Sequence, residues 1–276
     1  MVPLTHSIVA ILLLTGGTFD LMAQQRIQYT FDAVEEAGVL VVPGNDLRFD
    51  GALQPFRDNP RSKLIGLEQV RPYGLIITNT SDRPISVVSL RWERDYANQP
   101  PNFTLERLDS RQTPDRSAQF LPGQSYMALP RMAGFGPNLA LIDPAMAART
   151  AGQFQKANTI SVVVDAVIFD DGRLVGPDTG GMAVTYEAER SAIANILRDL
   201  TNIQDQGGSP RAYFQQLLTL RPQRTVQVAD SLRDSPYRYD AARFRLATIF
   251  ASKTEDAGTA IAALTTMQAN IKPVHR

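Results

Sequence analysis

Apolar positions in this chain alternate at a period of two through roughly its first two thirds and recur at a helical period in the last third. Leu75-Ile76-Ile77 is a short, partly β-branched run, and Val88, Leu90 and Trp92 alternate with Ser89, Arg91 and Glu93. That alternation puts the apolar set on one face of a half-buried strand. Between the two runs, Asn79-Thr-Ser-Asp-Arg-Pro84 combines residues that hydrogen-bond their own backbone with a proline that cannot donate to a ladder. Two strands around such a turn predict a hairpin. Thr159–Phe169 is the longest strand signal, with Ile160, Val162, Val164, Ala166 and Ile168 predicted on one continuous face. Asp170-Asp171-Gly172 then turns the chain into the partner run Arg173-Leu174-Val175. Val39–Val42, closed by Pro43-Gly44, is a further strand, and Leu47–Phe49 reads as another short one.

The stretch from Asn98 to Gly123 carries Pro100, Pro101, Pro114 and Pro122 among polar residues, which predicts a long excursion with one strand near Phe103–Leu105. Arg131–Pro137 sets two glycines and a proline around Phe135. Long loops hung on a sheet carry binding, so Phe135 is a candidate contact; the competing reading tucks it back over the core. Short strands with turn residues between them and no helical periods describe an antiparallel all-β sandwich over residues 24–182, broadly immunoglobulin-like.

At about Ala183 the period changes, and Ile193, Ile196, Leu197 and Leu200 fall at helical spacing. Ser209-Pro210 reads as an N-cap followed by proline at the first helical position, a device repeated at Ser235-Pro236. Ser252–Glu255 fits a capping box ahead of Ile261, Leu264 and Met267. Residues 183–276 are therefore predicted as an α-helical domain of helical hairpins, making the chain α+β overall.

The first residues have a different character. Ile8–Leu14 is a compact apolar run followed by small residues and Ala23, which reads as a secretory signal over residues 1–23 and makes the mature chain secreted or periplasmic. The run falls short of the roughly 20 apolar residues a membrane span needs, so no transmembrane span is expected in the mature chain.

Composition mainly excludes. Lys+Arg 28 balances Asp+Glu 28, so the total charge supplies no basic excess for nucleic acid. Cysteine is absent, which removes disulfides, thiol nucleophiles and thiolate metal sites. The two histidines are His6, inside the signal, and His275, expected to fray near the end of the sequence. A Ser-His-Asp hydrolase needs an imidazole, and residues 24–274 hold none. No Gly-x-Ser-x-Gly, P-loop or Gly-x-Gly-x-x-Gly motif occurs.

Carboxylates remain. Asp165, Asp170, Asp171 and Asp178 gather around the strongest strand and its turn. Paired acids can hydrolyse a glycoside, and acids in a loop can hold calcium, although backbone demands of a hairpin turn explain Asp170-Asp171-Gly172 without either. Trp92 with Tyr73 and Tyr96 would make a sugar platform, but its alternation puts it in the core. In the helical part, Arg238 and Arg245 belong to a set of arginines interleaved with Tyr237, Tyr239 and Phe244 that would suit an acidic partner if it is more than a solvated face. The expectation is an exported, non-catalytic binding or assembly module of the cell envelope. It uses no cofactor or metal and contacts another envelope protein through the C-terminal helices. The alternative is a carboxylate-dependent glycan hydrolase using the acids of the 165–178 hairpin.

Overall fold

The structure, a computed structural model, describes residues 26–30, 38–97, 99–109, 119–130, 136–220, 222, 235–251 and 256–276. Strands β1 (Arg26–Thr30) and β2 (Val39–Pro43) are followed by three one-turn helices, α1 (Phe49–Ala52), α2 (Gln54–Arg57) and α3 (Leu67–Val70). Next come β3 (Leu75–Asn79), β4 (Ile85–Tyr96), β5 (Gln99–Asp109) and β6 (Ser125–Ala128). Helix α4 (Pro144–Phe154) leads into β7 (Thr159–Phe169) and β8 (Leu174–Val175). The remainder is helical: α5 (Met182–Asp205), α6 (Pro210–Thr219), α7 (Ser235–Ala251) and α8 (Ala257–Asn270). The architecture is α+β, two sheets with eight helices among the described residues. No described helix is long and apolar enough to cross a membrane.

One sheet runs β1-β7-β4-β5, with β8 also paired to β7; the other runs β2-β3-β6. All pairs are antiparallel except β1 with β7. The expected hairpin is therefore corrected: β3 and β4 belong to different sheets. Asn79, fully buried at the end of β3, explains the change. Its Nδ2 donates to the carbonyls of Arg83 (2.8 Å) and Phe120 (2.9 Å), and its Oδ1 accepts from Ser81 N–H (3.0 Å). The polar turn is there, held as an arch between sheets. Turn chemistry says that the chain reverses, not which sheet each arm joins.

Two apolar cores result. Val88, Leu90, Trp92, Ile160, Val162 and Val164 pack with the three-stranded sheet and α4. Val87, Ala166, Ile168 and Leu174 pack with α5, α6, α7 and α8. The five-stranded sheet is thus covered on both sides, which is why β7 is apolar almost throughout.

The expected continuous face of β7 is also corrected, since it ends at Val164. Ser89 faces Ala166 while Leu90 faces Val164, so Asp165 is an extra residue in β7, a β-bulge. Past it the alternation is inverted: Ala166 and Ile168 face the helices, Val167 and Phe169 the other core. Helix α4 was not expected. Asp143 Oδ1 caps it, accepting from Ala145 N–H (2.8 Å) and Met146 N–H (3.3 Å), and Ala147, Ala151 and Phe154 form its buried stripe. Phe49 starts α1 where a strand was expected. Pro100 and Pro101 lie at the start of β5, which among the described strands pairs only with β4, a position that tolerates missing donors. Asp256 caps α8, accepting from Thr259 N–H (2.9 Å); the Ser252–Glu255 box lies outside the described residues.

Candidate functional site

The bulge turns Asp165 away from both apolar faces and into the loop between β8 and α5. Its side chain is completely buried. Oδ1 accepts from the Thr179 N–H (2.8 Å) and hydroxyl (2.5 Å), and Oδ2 accepts from Gly180 N–H (2.8 Å). The Asp165 carbonyl takes a fourth bond from Asp178 N–H (2.8 Å). Such closeness needs glycine on the loop. Gly176 has φ +112°, and a Cβ there would stand 2.6 Å from the Asp165 carbonyl oxygen; at Gly180 it would stand 2.8 Å from Oδ2. On the outer side, Arg91 Nη1 donates to Thr179 Oγ1 (2.5 Å) and Arg91 Nε pairs with Glu93 (2.8 Å). A chain of alternating charge and hydroxyl, Glu93–Arg91–Thr179–Asp165, runs from the surface into the sheet.

Asp178 sits in the same loop in the left-handed region, φ +53°, and its carboxylate caps α5 by accepting from Met182 N–H and Ala183 N–H (3.1 Å). Burial raises its pKa above the usual aspartate value; the two capping N–H groups oppose this and the Asp165 charge adds to it. Arg238 reaches the loop from α7. Its Nη1 donates to the Gly181 carbonyl (2.5 Å) and the Thr185 hydroxyl, and Nη2 donates to the Gly180 carbonyl (2.9 Å). Burial lowers the Arg238 pKa, with the Asp178 charge opposing and the Arg107 charge reinforcing it. Three of the expected residues, Asp165, Asp178 and Arg238, therefore meet around one six-residue loop, 176–181.

Asp178 gives a sharp mutational contrast. Asparagine tolerates the left-handed region but offers one acceptor oxygen to two capping N–H groups that bond different carboxylate oxygens, so Asp178→Asn should keep one of the two cap bonds and cost less than Asp178→Ala. Asp178→Ala loses the cap, about 1 kcal/mol, and strains the backbone by a further 1–2 kcal/mol or so. The pH dependence has a definite sign. A carboxylate whose folded pKa is raised favours the folded state while protonated, and that contribution is lost as pH rises through the folded value. The stability of Asp178→Asn relative to wild type should therefore increase with pH just above the usual aspartate range, measured by urea denaturation at stepped pH.

The other expected acids have separate partners. Asp171 Oδ1 accepts from Arg173 N–H (2.9 Å) and Oδ2 pairs with Arg83, while Asp170 donates its N–H to the Pro84 carbonyl (3.1 Å). They close the β7–β8 turn. Arg245 pairs with Glu189 (2.9 Å), whose carboxylate also takes Arg107 (2.9 Å); Arg107 in turn contacts Asp109. Burial alone would lower the Arg107 pKa, but the charges of Asp109 and Glu189 more than reverse it. Glu189 and Asp109 were not singled out in the sequence. A signal did exist for Glu189: it lies with Tyr186, Ile193, Ile196 and Leu200 on the buried stripe of α5, where an acid needs a partner. Phe135 lies outside the described residues. Trp92 is fully buried with Nε1 donating to the Tyr73 carbonyl (3.0 Å), and it offers no surface platform. His275 is not frayed: its N–H donates to the Gly172 carbonyl (3.1 Å) and its carbonyl accepts from Leu174 N–H (2.8 Å).

Among the described residues, no group of three or more His, Asp or Glu is arranged to hold a metal ion. Comparison of the chain with family models, curated proteins and solved structures gave no match.

Proposed function

We propose that this chain is an exported, non-catalytic binding or assembly module of the cell envelope, an immunoglobulin-like sheet unit whose C-terminal helices engage another envelope protein. The observation that carries the reading is how the Asp165 carboxylate is used: it is completely buried and accepts three hydrogen bonds from the 176–181 loop. Its oxygens serve the fold, as do those of Asp178 at the α5 cap and Asp171 at the turn. A glycosidase pair needs two carboxyls flanking a shared substrate bond, about 5–10 Å apart with room between them. Here Gly180 and Thr179 fill the space against Asp165, which argues against its use as a catalytic acid. The apolar residues of residues 1–23 support export by their pattern alone.

Crosslinking the tagged chain in its native envelope, followed by mass spectrometry, tests the proposal. The expected result is a stoichiometric envelope protein joined through peptides of residues 209–245. Recovery of the chain alone, under conditions that capture a known complex of the same envelope, counts against an assembly role.

A further inference from the structure

Between the start of α5, strand β8 and the chain that follows α8 lies a groove of about 560 Å³, within the range typical of small-molecule sites. Leu174, Ala183, Val184 and Val274 form its apolar floor, and Glu187, His275 and Arg276 its rim. The wall is built, since main-chain bonds join Leu174 to His275 and His275 to Gly172.

Charge on the rim is unequal in what it offers a ligand. The Glu187 carboxylate is already used: Oε1 accepts from Val274 N–H (3.3 Å) and Oε2 from Arg190 Nε (3.1 Å). The Arg276 charge favours the ionised form of Asp178, and neither the Arg276 guanidinium nor the His275 ring has a hydrogen-bond partner among the described residues. The open rim groups are thus nitrogen donors. The groove is poorly suited to a peptide strand, because the N–H groups of Leu174, Ala183, Val274 and His275 are all engaged. An apolar floor, spent backbone donors and two free nitrogen side chains suit an alkyl chain that ends in an anion.

We propose that this groove binds a medium-chain fatty acid, its chain along Leu174, Val184 and Val274 and its carboxylate at His275 and Arg276. The inference is independent of the envelope-partner reading. The test uses the full chain and sodium decanoate below its micelle concentration, followed by methyl NMR. Saturable shifts centred on Val184 and Val274 are expected, and decyltrimethylammonium, with the same chain and the opposite charge, should bind about tenfold more weakly. Arg276→Gln, on an exposed residue that does not threaten the fold, should remove that preference. Val184→Asp should weaken decanoate by a further factor of about ten by putting a charge on the floor. Equal affinity for the two head groups, a preference that survives Arg276→Gln, or shifts spread away from the groove would overturn the proposal.

Discussion

Asp165→Ala is expected to destabilise the fold by about 3–5 kcal/mol, the cost of breaking a buried, hydrogen-bonded charged group. Three donors converge on the carboxylate from a loop pressed against β7, and two of them, the N–H groups of Thr179 and Gly180, are backbone groups. Each orphaned buried donor costs roughly 1–3 kcal/mol. The Thr179 hydroxyl can rotate, and Arg91, with its side chain one-quarter exposed, can turn to water, so the loss is less than the sum over all donors. Asp165→Asn keeps the volume and one acceptor oxygen but points an NH2 group at a donor. It should cost about half as much. Urea denaturation supplies the free energies. Amide exchange locates the effect: Thr179 and Gly180 should lose protection in Asp165→Asn while Val162 and Val164 keep theirs. A stable Asp165→Ala chain with Thr179 still protected would mean that Arg238 and the α5 cap alone hold the loop.

The position of Asp165 also marks where reading the sequence stops. Its residue type and its neighbours were legible: an acid inside the strongest strand pattern, close to Asp178. The bulge was not, because Val164 and Ala166 are both apolar and either phase of alternation fits the run Val162–Ile168. Partner register decides the phase, and register is a property of β4 as much as of β7. The same limit separates β3 from β4. Their apolar runs and the Asn79–Pro84 turn were correctly read, but the choice between hairpin and arch depends on Phe120, whose carbonyl takes the Asn79 side chain across 41 residues. The helices after Met182 were easier, since their buried stripes and the Ser209 cap are local. Helix α4 carries equally local signals, Asp143-Pro144 and the spacing of Ala147, Ala151 and Phe154, and its alanine-rich sequence hid the stripe among small residues. Of the candidate site, Asp165, Asp178 and Arg238 were named individually. That one loop gathers them follows from α7 packing beside α5, which no spacing in the chain states.

Glu189→Gln should destabilise by about 2–4 kcal/mol, less than a full deletion because the amide still accepts one hydrogen bond. Glu189 is 5 % exposed and neutralises two guanidiniums, Arg107 from β5 and Arg245 from α7. With its charge removed, Arg107 retains Asp109 while Arg245 has no other acid within reach of the contacts it makes among the described residues. The two arginines do not respond alike. Arg245 is one-third exposed and is hydrated once released, so Arg245→Met should cost about 1 kcal/mol or less after solvent screening. Arg107 is 19 % exposed and its partners Asp109 and Glu189 are nearly covered, so Arg107→Met takes the guanidinium from both, Glu189 keeping only the pair with Arg245 among the ion pairs described, and should cost about 3–5 kcal/mol. A double-mutant cycle between Glu189→Gln and Arg245→Met measures the coupling, expected near 1 kcal/mol and falling with added salt. The order Arg107 over Glu189 over Arg245 is the diagnostic outcome. If Arg245→Met proved the most damaging of the three, the weight of the network would lie on the α5–α7 contact, and the link from β5 to the helices would have to come from the apolar residues around Leu174 and Tyr186.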